Sequence, residues 1–182
     1  MKNIYEKYMK NHDFSVNGSS LKYPHRFNKN MNFKLKKEIK RFTQSILRNE
    51  VVNLTLTLKQ QFNGIDLDEI IMEQNLKHFL NILNSKVFGN GFKRFGKRLK
   101  VIVKKENSIN QRLHFHLILE LPKRYDYLIF SKLIIESINK TDFFYLEHHM
   151  NHPNSKNDKL GWFNYIMKGN LNNSIDWNNS VL

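Results

Sequence analysis

Residues Arg112 to Pro122 read RLHFHLILELP, and this stretch decides how the rest of the chain is interpreted. Its apolar and aromatic residues favour a β-strand over Leu113–Leu121, and the proline marks the end of that strand. A β-branched run, Val101–Val103, lies upstream, and the intervening polar residues 107–112 are typical of a turn. We therefore expect the two apolar runs to pair as an antiparallel hairpin.

The spacing of apolar residues outside the hairpin predicts two more strands and four helices. Val52–Lys59 alternates apolar and polar residues, as a half-buried strand does, and Asp142–Met150 looks extended. The basic stretch Phe88–Lys100 is interpreted as a loop. Helical spacing occupies four segments, residues 33–48, 66–85, 125–140 and 160–169.

The order of these elements is helix, strand, helix, strand, strand, helix, strand, helix. Its β-α-β-β-α-β core is typical of an α+β fold of the ferredoxin-like, split βαβ type. We expect an antiparallel sheet covered by helices on one face. A chain of 182 residues is long enough for one such domain, which we assign to residues 33–169. A basic N-terminal arm, residues 1–32, and a polar C-terminal tail, residues 170–182, flank the domain.

The composition limits the kind of partner. Thirty Lys and Arg against sixteen acidic residues give a formal net charge of +14, which favours a polyanionic partner such as nucleic acid or a membrane surface. The chain has no cysteine, which excludes a disulfide scaffold and a thiolate zinc site. No apolar run approaches the roughly 18 residues of a membrane span, and no signal peptide is evident. We expect a soluble cytoplasmic protein without a membrane partner.

Two histidines in the decisive stretch point to a metal site. Residues two apart on a strand share a face, so His114 and His116 can chelate a divalent cation together. Glu106 lies across the predicted hairpin, at or near the position opposite His114, and would supply a third ligand. Such a nitrogen-rich site suits Mn²⁺ and admits Mg²⁺. The alternatives are two structural histidines, a solvated Glu106, or His149 as the third ligand.

The last predicted helix carries a candidate nucleophile. Tyr165 and Lys168 are three residues apart and share one helical face. A phenol with a pKa of about 10 is a poor nucleophile at neutral pH, and a neighbouring ammonium with a metal-polarised phosphate would assist its attack. We therefore predict that both residues are catalytic. The alternative is that Tyr165 only packs against Trp162.

Three segments in this order, NLTLTLK, RLHFHLILELP and WFNYIMKG, resemble the three motifs of the HUH endonuclease superfamily. The resemblance covers residues 51–169 and is nearest to the single-tyrosine replication initiators, or Rep proteins, of plasmids and small circular DNA viruses. It implies an HUH-type nuclease domain. Plasmid relaxases and single-strand transposases are related proteins with the same chemistry.

The resemblance also implies a reaction. Tyr165 would attack a phosphate of single-stranded DNA or of an origin hairpin, leaving a 5′-phosphotyrosine and a free 3′-hydroxyl that starts rolling-circle replication. Only one tyrosine lies in its motif, which disfavours the two-tyrosine mechanism, and unwinding would require a host helicase. The reaction would take place in the cytoplasm of a bacterium or an infected cell. Residues expected to contact DNA are Asn53, Thr55 and Thr57 on the first strand and Lys93, Arg94, Lys97 and Arg98 in the basic stretch.

Two other interpretations of the sequence stay open. Single-strand transposition or plasmid transfer would use the same chemistry as replication initiation. A non-catalytic nucleic-acid-binding domain is the rival from a different class, because ferredoxin-like sheets host many such modules. A further histidine group, His148, His149 and His152, is a weaker candidate for a separate metal site.

Overall fold

The computed structural model describes residues 33–108, 111–167, 175–176 and 178–181. The predictions for the arm at residues 1–32, for Lys168 and for most of the tail fall outside the described residues. The helices are α1 (Phe33–Arg48), α2 (Glu69–Phe88), α3 (Asn90–Phe95), α4 (Tyr127–Ile138) and α5 (Lys156–Ile166). The strands are β1 (Val51–Leu58), β2 (Gln61–Phe62), β3 (Ile65–Asp66), β4 (Val101–Ser108), β5 (Gln111–Glu120) and β6 (Phe144–Asn151).

The predicted order of the main elements is confirmed, with two additions. Strands β2 and β3 form a small hairpin around Asn63 and Gly64, whose positive φ angles of 50° and 76° suit an Asn-Gly turn. The basic stretch interpreted as a loop contains the short helix α3, which ends at Gly96 in the left-handed conformation. Both additions are too short to leave an apolar period in the sequence.

The four long strands form one antiparallel sheet in the order β4-β5-β1-β6. Strand β1 lies between β5 and β6, which α4 connects, and β5 lies between β4 and β1, which α2 connects. Two β-α-β units are therefore interleaved, each with a strand of the other in its middle. The predicted α+β class and antiparallel sheet are confirmed.

The expectation of helices on one face is wrong. Helices α2 and α4 pack on the face formed by Leu54, Leu56 and the other even-numbered residues of β1. Helices α1 and α5 cover one end of the opposite face, where Ile102 and Ile118 provide apolar contacts. The sheet is apolar on both faces at that end, so both faces there require a cover.

The strand register fixes which side chains share the second face. Lys104 on β4 is opposite His116 on β5, which is opposite Thr55 on β1, which is opposite His149 on β6. The next row pairs Glu106 with His114 and His114 with Thr57. These polar rows follow the apolar end that α1 and α5 cover, and Trp162 and Tyr165 of α5 lie against His116 in the first of the two rows.

Within the described part of the chain, no helix has the length and apolar character that crossing a membrane requires.

Candidate metal centre

Glu106, His114 and His116 meet on the second face of the sheet, as the sequence predicts. One ligand atom from each of the three lies within 4.8 Å of the others. Glu106 Oε2 is 2.8 Å from His116 Nε2 and 3.4 Å from His114 Nε2. The hairpin register creates this cluster, because Glu106 is directly opposite His114 and His116 is two residues along the same strand. The three residues form a group that could bind a metal ion.

The far nitrogens of the two rings are held by neighbouring groups. His114 Nδ1 is 2.8 Å from the carbonyl of Arg112, and a carbonyl only accepts, so Nδ1 carries the proton. In the neutral ring, Nε2 then presents a lone pair to the carboxylate of Glu106. A lone pair and a carboxylate oxygen that face each other at 3.4 Å repel, and a cation between them relieves that repulsion. The donor set therefore fits a bound divalent metal.

Thr55 supports the second imidazole. Its hydroxyl is 3.0 Å from His116 Nδ1. A hydroxyl can either donate or accept, so Thr55 is compatible with His116 as a donor to Glu106 and with His116 as a metal ligand through Nε2. The sequence assigned Thr55 to DNA contact, but its hydroxyl is used to orient a ring of the metal centre.

The Tyr165 hydroxyl reaches the same cluster from helix α5. It donates a hydrogen bond to Glu106 Oε2 at 3.0 Å and lies 3.4 Å from His116 Nε2. The phenol ring stands edge-on to the His116 ring, with 5.2 Å between the centroids. The centroid of the Tyr165 ring is also 5.6 Å from that of Trp162. Tyr165 therefore packs against Trp162, as the alternative interpretation expects, and its hydroxyl also lies at the candidate metal site.

Packing of α5 explains this position. Leu160, Phe163 and Ile166 are buried and form the apolar stripe of the helix. Phe163 and Ile166 join the core cluster shared with α1 and the end of the sheet. Tyr165 falls between the buried positions and is 42% exposed, so it lies at the edge of the buried face, beside the histidines. The helix is thus anchored by apolar contacts that leave the phenol accessible.

Lys104 belongs to the site and was not among the predicted residues. It precedes Glu106 by two residues on β4, so both side chains are on the same face. Its buried ammonium is 3.5 Å from Glu106 Oε1 and 4.9 Å from the centroid of the Tyr165 ring. The alternation of β4 was the available signal, because it places Lys104 and Glu106 on one face of the strand.

The surroundings shift the pKa values of three groups. Burial, with the neighbouring His114, lowers the pKa of His116 to about 4, so this ring is neutral at pH 7. Burial raises the pKa of Glu106, but the hydrogen bond from Tyr165 and the charge of Lys104 outweigh it and bring that pKa below its ordinary value. Burial and the bond to Glu106 raise the pKa of the Tyr165 phenol. Neutral His116 and the Glu106 carboxylate are therefore in the forms that bind a cation, whereas the Tyr165 phenol needs added positive charge to ionise.

The other residues expected to bind DNA on β1 have different surroundings. Asn53 is only 1% exposed, and neither atom of its amide has a partner within the described structure. It is buried because its row of the sheet, with Ile118 as neighbour, lies at the end that α1 and α5 cover. Asn53 is therefore not accessible to DNA in this arrangement, and the predicted contact is wrong. Thr57 is half-buried and opposite His114.

The cations of the basic stretch are exposed but far from the metal centre. They lie on α3 and in the segment that follows it, before β4 begins at Val101. Glu106 is five residues further along β4, which is about 17 Å at the rise of an extended strand. The structure therefore does not bring these residues to the site. They are Lys93, Arg94, Lys97 and Arg98.

The second histidine group does not form a cluster. His149 is exposed and separated from His116 by the whole of β1, about 10 Å across the sheet. His148 bonds to the carbonyl of Leu146, and His152 bonds to Glu50 and stacks on Tyr127. Within the described ranges, Glu106 and not His149 completes the metal ligand group.

Lys168, the predicted partner of Tyr165, lies outside the described residues. Comparisons with protein-family models, with characterised proteins and with solved structures find no match. The chemistry of the site is therefore the basis on which a function can be assigned.

Proposed function

We propose that the protein is a metal-dependent, site-specific endonuclease and ligase that nicks single-stranded DNA through Tyr165. The observation that carries this proposal is the Tyr165 hydroxyl, 3.0 Å from Glu106 Oε2 and 3.4 Å from His116 Nε2. A nucleophile beside a set of metal ligands is the arrangement that phosphoryl transfer to a side chain requires.

Glu106, His114 and His116 would hold the metal. Two imidazole nitrogens and one carboxylate suit Mn²⁺ and also admit Mg²⁺. When bound, the cation supplies positive charge that polarises a phosphate oxygen and favours the phenolate. Lys104 adds a second positive charge beside the phenol ring.

The proposed step is an in-line transesterification. The Tyr165 oxygen forms a bond to phosphorus while the bond from phosphorus to the 3′-oxygen of the preceding nucleotide breaks. The phenol proton passes to Glu106, its hydrogen-bond acceptor, and from there to water, while the departing 3′-oxygen takes up a proton from water. The products are a 5′-phosphotyrosine and a free 3′-hydroxyl. Attack by a 3′-hydroxyl on the phosphotyrosine reverses the step and rejoins the strand.

The biological use that fits this chemistry is the start of rolling-circle replication of a plasmid or virus. A free 3′-hydroxyl is the end that a polymerase extends, and the bound 5′ end is kept for rejoining. A formal charge of +14 supports a nucleic-acid substrate. Separation of the strands would come from a helicase of the host.

The proposal is tested by nicking. A pool of end-labelled single-stranded oligonucleotides is incubated with the protein and Mn²⁺ or Mg²⁺, and the products are separated on a denaturing gel. We expect a cleaved strand and a protein-linked strand, and we expect both to disappear with EDTA. Tyr165→Phe removes the nucleophile and should abolish both products, whereas Tyr127→Phe, a matched change at a tyrosine that stacks on His152, should not.

The metal ligands are tested separately. His114→Ala should weaken Mn²⁺ binding and should also abolish nicking. Electron paramagnetic resonance, which detects the free ion, measures the binding. Tight binding of the pool by a protein that never yields a cleaved or linked strand would favour a non-catalytic binding domain instead.

A further inference from the structure

Phe95 has the most exposed large apolar side chain in the described part of the chain, at 83%. It is the last residue of α3, and Gly96 ends the helix in a left-handed conformation with φ of 64°. Helix α3 has no buried residue, so its packing does not require an aromatic at this position. An exposed phenyl ring on such a helix has both faces available for a ligand.

Four cations flank Phe95 in the sequence. Lys93 and Arg94 lie in the last turn of α3, and Lys97 and Arg98 follow it, all exposed. No carboxylate pairs with any of the four within the described residues, and the sequence has no acidic residue from Lys86 to Lys105. Their positive charge is therefore not neutralised by neighbouring groups of the protein.

Two of these cations are held in place by aromatic rings. Lys97 Nζ lies 5.1 Å from the centroid of Phe88, and the guanidinium of Arg98 lies 5.2 Å from that of Phe92. Arg98 also donates to Asn81 at 3.2 Å. These contacts restrict the long side chains before a ligand arrives, which reduces the entropy lost on binding. Among the described residues, no cation lies over the Phe95 ring in this way.

We infer that this basic aromatic surface, formed by Lys93, Arg94, Phe95, Lys97 and Arg98, binds single-stranded DNA with one base stacked on Phe95. Exposed aromatics between cations bind single strands because the bases stack and the phosphates pair with the charges. A duplex hides the faces of its bases, so the ring favours an unpaired strand. Arg98 on this surface bonds to Asn81 of α2, whereas Lys105, next to Glu106, bonds to Glu69 at the other end of the same helix, twelve residues or about 18 Å away.

This distance gives the surface a separate role. A nucleotide at the metal centre cannot touch Phe95 at the same time, so the surface would hold a part of the strand several nucleotides away from the cleaved bond. That role as a second anchor rests on the proposed function, whereas the affinity of the surface for single-stranded DNA does not. Two linked contacts on one strand raise the overall affinity above that of either contact.

The inference is tested by binding in EDTA, where no nicking can occur. A fluorescein-labelled oligothymidylate of ~12 nucleotides, within the range of single-strand sites, is titrated with the full chain and followed by anisotropy. Phe95→Ala should weaken binding roughly 5- to 100-fold, the usual effect of removing one stacking aromatic. Phe95→Trp should restore the affinity. Ile70→Ala, a matched loss of an exposed apolar side chain at the far end of α2, should change nothing.

Salt dependence separates stacking from charge. Lys93→Gln should reduce the slope of log affinity against log salt by about 0.7, the value for one phosphate contact on a single strand, whereas Phe95→Ala should leave this slope unchanged. Wild-type affinity in Phe95→Ala, or equal affinity for a duplex of the same length, would overturn the inference. Failure of the proposed function would appear differently, as intact binding in EDTA without any tyrosine-linked strand when metal is added.

Discussion

Glu106 Oε2 accepts the hydrogen bond of Tyr165 and is also the carboxylate oxygen nearest to both imidazoles of the site. One oxygen atom thus links the proposed nucleophile to the candidate metal ligands. Because His116 is neutral at pH 7 and the pKa of Glu106 is below its ordinary value, a cation can enter without displacing protons from these two groups.

Thr55 and Thr57 offer a matched pair for testing the support of His116. Both lie on the same face of β1, but only Thr55 has a hydrogen bond to the ring. We expect Thr55→Val to weaken Mn²⁺ binding about 10-fold, because loss of a group that orients a ligand costs roughly 10- to 100-fold in affinity. Calorimetric titration of both variants measures this. Equal affinities for Thr55→Val and Thr57→Val would show that the hydroxyl does not position His116.

Lys104 is predicted to assist the nucleophile by its charge. Lys104→Met keeps the length of the side chain but removes the ammonium near Glu106 and Tyr165, so the phenolate loses a stabilising cation. We expect the single-turnover rate of strand linkage to fall at least about 10-fold, as for other preorganised electrostatic groups. Lys104→Arg should recover part of the rate. A Lys104→Met protein with wild-type rate would limit this lysine to a packing role.

At the level of elements, helix α5 is expected to deliver Tyr165 to the site. Phe163→Ala should destabilise the protein by about 3–5 kcal/mol, because Phe163 is fully buried beneath α5. Phe130→Ala on α4 removes an equally buried ring from the opposite face and should have a similar cost. Urea unfolding measures both.

Activity distinguishes these two helix variants. In conditions where each remains folded, Phe163→Ala should lower strand linkage further than Phe130→Ala, because α5 carries Tyr165, the proposed nucleophile. Equal losses of activity in the two variants would mean that α5 does not determine the position of Tyr165.

The sequence predicts elements whose pattern repeats over several turns or strand residues. Helical spacing therefore predicts where α1 begins and ends, and the hairpin alone predicts that Glu106 is opposite His114. The sequence did not predict the burial of Asn53, because that depends on α1 and α5 covering a second face of the sheet. Lys104 was missed for a related reason, since a helix far along the chain turns a strand lysine into part of the site.

In the whole molecule, the two faces of the sheet have different surroundings. Helices α2 and α4 cover one face, whereas the other face is apolar at one end and carries the candidate metal ligands at the other. The charged groups of the site thus lie on strands whose opposite face packs in the main hydrophobic core. This arrangement holds the strands rigidly beneath the site, while Glu106 and Tyr165 stay partly exposed.

The buried His116 should make the stability of the metal-free protein depend on pH. Its pKa is about 4 in the folded state and about 6.5 in an unfolded chain, so the unfolded state binds more protons between these values. The free energy of unfolding should therefore fall as the pH is lowered through this range, by up to about 3 kcal/mol from this residue.

Urea midpoints at pH 7 and pH 5 in EDTA measure this effect. His116→Gln should show a smaller loss between the two pH values than the wild type. His149→Gln, the same change at an exposed position on β6, should show the wild-type loss. If the pH dependence is the same with and without His116, its ring is not held in the neutral state.

The measurement that tests the central claim most directly is peptide mapping of the DNA-linked protein by mass spectrometry. The protein is incubated with the cleaved oligonucleotide and Mn²⁺, digested with nuclease and protease, and searched for a nucleotide adduct. We expect a phosphodiester-linked nucleotide on Tyr165, and we expect it to be absent with EDTA. An adduct on another residue, or a strand cleaved by water without any adduct, would contradict it.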